Sequence, residues 1–131
     1  MDKDNLIKLL NEALQVEYSE VFLYPREAGE IKDKNIARTF EQFGLMEVRH
    51  ADMISIRILQ LGGKPVWEFK LLGELSDLKE ILKRHLNNEE AMIKVYENLI
   101  ERIDDAEIKI ILRGIRAEEE VHRDKIKELL S

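Results

Sequence analysis

The chain reads as an all-α protein, an antiparallel four-helix bundle made of two helical hairpins joined by a crossover connection. Three observations predict this. Apolar residues recur at three-and-four spacing almost throughout, as in Leu6, Leu10, Leu14 and Val21, or Ile36, Phe40, Phe43 and Ile54. Breaks in that pattern are few and short apart from one longer middle connection, as a bundle of two hairpins requires. The second half also repeats the first.

The spacing predicts helices over about 3–31, 34–61, 77–102 and 105–130. Pro25 falls inside the first, where it should bend the helix or start a looser segment, because it cannot donate to the preceding turn. Lys32-Asp33-Lys34-Asn35 is a polar turn before the second helix, and Gly62-Gly63-Lys64-Pro65 ends it. A connection holding Trp67 and Phe69 follows, and Asp77 with Glu80 three residues later has the pattern of a cap for the third helix. Asp104-Asp105 forms the last turn and cap.

Composition narrows the function. A length of 131 residues suits one domain over 1–131, and 21 basic against 27 acidic side chains give a net charge of −6, the wrong sign for an electrostatic nucleic-acid surface. Cysteine is absent, which excludes disulfides, thiolate zinc sites and iron–sulfur centres on this chain. Any metal must therefore sit on nitrogen and oxygen. No apolar run is long enough for a membrane span, and Met1-Asp2-Lys3-Asp4 lacks the basic-then-apolar order of a signal peptide, so a cytoplasmic location is expected.

Setting 1–59 against 73–131, an offset of 72, gives twelve identities. Several are apolar, such as Leu10/Leu82 and Ile54/Ile126, and any two amphipathic hairpins could share those. The polar matches are more informative: Glu17/Glu89, Glu47/Glu119, His50/His122, Tyr24/Tyr96, Asp33/Asp105 and Asp52/Asp124.

Glu47 and His50 form E-x-x-H, as do Glu119 and His122, and that spacing puts carboxylate and imidazole on one helical face a turn apart. Glu17 continues the core stripe Leu10, Leu14, Val21, and Glu89 does the same in the third helix. Four Glu and two His thus point inward, where unpaired carboxylates are very costly. The hairpins also level them: Glu17 and Glu47 are centred on residue 32 and Glu89 and Glu119 on residue 104, each inside a turn. All six can then meet in one layer, and four carboxylates balance two divalent ions. A two-metal centre on Glu17, Glu47, His50, Glu89, Glu119 and His122 is expected, suited to iron, with manganese or zinc as substitutes.

Other residues are open to two readings. Tyr24 and Tyr96 lie two turns beyond Glu17 and Glu89, where they serve either as catalytic hydroxyls over the site or as ordinary core. Glu20, three residues after Glu17, is either a seventh carboxylate with a catalytic role or a solvated residue paired with a base. Asp52 and Asp124 either orient ligands of a neighbouring helix or make surface ion pairs, and His85, one turn before Glu89, is a packed or supporting residue. Glu90, Glu118 and Glu120 are expected in solvent, with Glu118 the nearest to a site rim.

These residues, over nearly the whole chain, resemble the ferritin-like superfamily of di-iron carboxylate proteins, rubrerythrin and bacterioferritin in particular. The run from Glu47-Val-Arg-His50 to Leu61-Gly-Gly looks like the second helix of bacterioferritin, and Glu17 with Tyr24 like the first. The resemblance implies that Glu47 and Glu119 bridge two irons, that Glu17 and Glu89 are terminal ligands, and that His50 and His122 each cap one metal. Bacterioferritin places a haem-ligating Met directly after the second-helix Glu, but Val48 stands here, so no haem is expected. Rubrerythrins carry a Glu three residues after the third-helix ligand, where this chain has Met92, and a Cys-rich rubredoxin domain that it lacks. Glu20 occupies the repeat-equivalent place of Met92. Nothing after Ser131 forms the fifth helix of cage ferritins, which favours a homodimer or small homo-oligomer over a storage shell.

A redox enzyme acting on peroxide or dioxygen, with an external electron donor, is the first functional reading. A ferroxidase or iron-handling protein is the second, and a non-catalytic metal-binding bundle the third.

Overall fold

The computed structural model describes residues 2–70 and 72–131. Four helices follow in order: α1 (Lys3–Ala28), α2 (Lys34–Gln60), α3 (Leu78–Arg102) and α4 (Ala106–Leu130), with no strand among the described residues. The chain divides into two compact units, one holding the α1–α2 hairpin within Asp2–Leu72 and the other the α3–α4 hairpin within Gly73–Ser131.

In the first hairpin, Asp2 caps α1 by accepting from the Asn5 amide at 2.8 Å, and Asp33 caps α2 by accepting from Asn35 and Ile36. Pro25 does not end α1, which continues through it to Ala28. Proline's fixed φ is helical, so three further residues cost little after the lost hydrogen bond. The helix stops short of the expected residue 31, and past Ala28 the Glu30 amide bonds only three residues back, to the Glu27 carbonyl, in a tightened last turn. The Pro25 ring instead lies against Gly44 of α2, where a Cβ would come within 3.1 Å of it.

Helix α2 ends in a Schellman arrangement, the Gly63 amide donating to Ile58 and that of Gly62 to Leu59, with Gly62 at φ 82°. Only glycine adopts that angle without strain. Gly63 has a separate reason to lack a side chain, since its Cβ would fall 2.8 Å from Ile7. The connection then runs along α1, held by Asn11, which donates to the Lys64 carbonyl and accepts from the Val66 amide, and by Ser19, which accepts from Lys70. Trp67 packs edge-on against Tyr18, and Phe69 lies 4.9 Å from Phe22. These ring contacts explain how a connection with no helix is fixed.

The core of this hairpin includes Leu10, Leu14, Phe40, Ile54 and Ile58, with the Tyr24 ring edge-on to Phe40 at 5.3 Å and Phe43 at 5.5 Å. Each such apolar side chain contributes about 1.5–3 kcal/mol on leaving water. In the second hairpin Leu82, Ile93, Tyr96, Leu99, Leu112, Ile115 and Ile126 play the same part. Asp105 caps α4 by accepting from Ile108 at 3.0 Å. Asp77 holds the cap position of α3 but makes no such bond, contrary to the pattern it forms with Glu80. It is exposed, and solvent can serve the first-turn amides there.

Candidate metal centre

Each hairpin carries one triad of two carboxylates and an imidazole. In the first, Glu17 comes from the core stripe of α1, and Glu47 and His50 come from consecutive turns of α2. His50 Nδ1 lies 3.5 Å from Glu17 Oε2 and 3.8 Å from Glu47 Oε1. In the second, His122 Nδ1 lies 3.8 Å from Glu89 Oε1 and 3.8 Å from Glu119 Oε2. Within each triad the three donor atoms are within 4.8 Å of one another, and all six residues are at most 2% exposed.

The four imidazole–carboxylate distances, 3.5–3.8 Å, fit an ion. Two donors at about 2.1 Å from one metal can be at most about 4.2 Å apart, while a hydrogen bond would draw them nearer to about 3 Å. Two carboxylates also offset one divalent charge, so each hairpin supplies a balanced set of hard ligands. The chemistry of the donors, not only their number, suits iron, manganese or zinc.

Residues around the triads sort clearly. Tyr24 and Tyr96 are wholly buried, in α1 and α3. Glu20 is buried as well, at 4% exposure, which corrects the solvated reading of that residue. Its reason is phase: Glu17, Glu20, Tyr24 and Glu27 step by three, four and three residues along one side of α1. Glu27, also buried, is a residue the sequence reading missed, although the same spacing points to it. Asp52 and Asp124 are exposed, and Asp124 accepts from Arg123 Nε at 3.0 Å, so both belong to the surface. Glu90 and Glu120 pair with Lys127 and Arg116 at 4.0 and 3.4 Å. Glu118 is half-buried, and His85 is fully buried. No helix among the described residues is long and apolar enough to cross a membrane.

A sequence profile described as Ferritin-like domain matches residues 7–131. No curated protein matches the chain. Among solved structures, a ferritin-like, diiron-carboxylate protein from Bacillus anthracis str. Ames aligns over 100% of both chains with TM-score 0.94 and 27% identity. The Rhodobacter capsulatus bacterioferritin, described with a metal-free dinuclear site and haem iron, aligns over 99% of this chain and 85% of its own, with TM-score 0.88 and 26% identity. The Desulfovibrio desulfuricans bacterioferritin, described with a diiron site in different catalytic states, aligns over 98% and 79% with TM-score 0.88. At 21% identity it supports the fold alone.

Proposed function

The chain belongs to the ferritin-like family, and from that membership and its two buried triads we propose that it is a di-iron redox protein acting on peroxide or dioxygen. The observation that carries this reading is the pair of buried Glu–Glu–His triads, one on each hairpin. Glu17, Glu47 and His50 would hold one iron and Glu89, Glu119 and His122 the other. When bound, the metals supply two one-electron redox centres.

Reduction of one peroxide to two waters consumes two electrons and two protons. An external donor supplies the electrons, because the sequence has no cysteine for an iron–sulfur or rubredoxin centre. Glu20 relays a proton to the oxygen that leaves, and its burial beside the Glu17 turn keeps that proton from bulk water. Tyr24 and Tyr96 present hydroxyls that hold ligand carboxylates or the oxidant in place. The active form is a homodimer or small homo-oligomer.

The test is peroxide turnover with iron-loaded protein and a reductant, comparing the wild type with Glu20→Gln. The variant should keep two metals per chain and lose at least about tenfold in turnover, about 1.4 kcal/mol in the barrier. Equal turnover would remove Glu20 from the mechanism. Oxidation of ferrous iron followed by its release, without peroxide turnover, would instead identify a ferroxidase.

A further inference from the structure

One group of aromatic rings lies outside both triads and is left partly in water. Tyr18, half-buried on α1, meets Trp67 of the connection edge-on, their ring centroids 5.2 Å apart. Phe22 and Phe69 flank Tyr18 at 5.1 and 6.2 Å, and Trp67 is 46% exposed. It is the single tryptophan of the chain. Tyr18 directly follows the triad residue Glu17, and across their trans peptide the two Cα atoms are about 3.8 Å apart. Successive helical side chains diverge by about 100°, so Glu17 lies in the core while Tyr18 reaches the connection. The second hairpin has no such group on α3: at the offset of 72, Glu90 stands for Tyr18 and Lys94 for Phe22.

We propose that Trp67 and Tyr18 are an electron relay from the surface to the Glu17 triad, fed by a small soluble one-electron reductant of the enediol or thiol class. The proposal rests on the redox reading above and gives it a route by which electrons enter. Tyrosine and tryptophan surrender single electrons readily, and cysteine, which competes for that role, is absent. Tyr18 yields an electron inward and its phenolic proton to water, leaving a neutral radical. Trp67 then yields an electron to Tyr18, which takes up a proton again, while the indole N–H releases one. The reductant returns an electron and a proton to Trp67. Two such cycles deliver the two electrons that one peroxide takes up in becoming two waters. Without a reductant both electrons come from Trp67 itself, which adds water as it loses two protons. Peroxide and tryptophan then give hydroxytryptophan and one water.

The coupling of the two rings is read by pulse radiolysis of metal-free full-length protein, with azide radicals oxidising Trp67. The indolyl radical should convert to a tyrosyl radical at a rate independent of protein concentration. Tyr18→Phe, which keeps the ring and its packing, should abolish that conversion. Conversion as fast in the variant would overturn the relay, as would an indolyl radical that decays with no tyrosyl radical formed. The inward leg is read in iron-loaded protein given peroxide, with peptide mass spectrometry locating added oxygen. Wild type should gain oxygen at Trp67, ascorbate should prevent the gain, and Tyr18→Phe should lose most of it. Equal oxidation of Trp67 in that variant would overturn the route through Tyr18. No peroxide consumption by iron-loaded wild type would overturn the redox reading itself, whereas consumption that leaves Trp67 intact without a reductant would overturn only the relay.

Discussion

Replacing Glu47 and Glu119 together with leucine should abolish metal uptake and, at the same time, raise the stability of the metal-free protein. Each carboxylate sits at most 1% exposed beside a second one in its hairpin, Glu17 or Glu89. Without an ion, two buried acids and one imidazole must share little solvent, a costly arrangement. Leucine has similar bulk and needs no partner. Exchanges of buried ionic groups for apolar ones are often neutral or stabilising by about 1–4 kcal/mol, and the upper half of that range is expected here. Chemical denaturation of metal-free wild type and variant measures the difference. A variant markedly less stable than the metal-free parent would mean that Glu47 and Glu119 support the fold without metal.

Removing metal from the wild type should have the opposite sign. An ion that binds only the folded chain stabilises it by about 4 kcal/mol when free metal exceeds its dissociation constant by about a thousandfold. Two such ions should raise the melting temperature by well over ten degrees, even at the shift of about 2–4 °C per kcal/mol that holds for domains somewhat longer than this one. Scanning calorimetry with and without a chelator checks this. Melting that is indifferent to the chelator would show that the triads are satisfied without ions.

Much of this was legible in the residues alone. The six triad positions could be named because a carboxylate or imidazole interrupting an apolar stripe at helical spacing has only one direction to point, as Glu17 does between Leu14 and Val21. Pairing through the turns at Asp33 and Asp105 then fixed which residues are level, and both aspartates do cap their helices. Glu20 was ambiguous because Ser19 and Val21, its neighbours in sequence, lie on other faces of α1. Only reading it together with Tyr24 and Glu27 places it on the buried side. Asp77 shows the opposite error, since a correct cap position does not dictate that the side chain turns to the amides. Pro25 falls inside α1 as its place in the pattern suggested, whereas its contact with Gly44 depends on a helix distant in sequence. Local spacing carries phase well, and it carries the outcome of packing between helices poorly.

The central claim is that each hairpin's triad binds an ion, and a metal-to-chain ratio tests it most directly. Protein loaded anaerobically with ferrous iron and freed of excess metal should hold two ions per chain by elemental analysis. One tightly held ion per chain in a fully loaded sample would contradict the account.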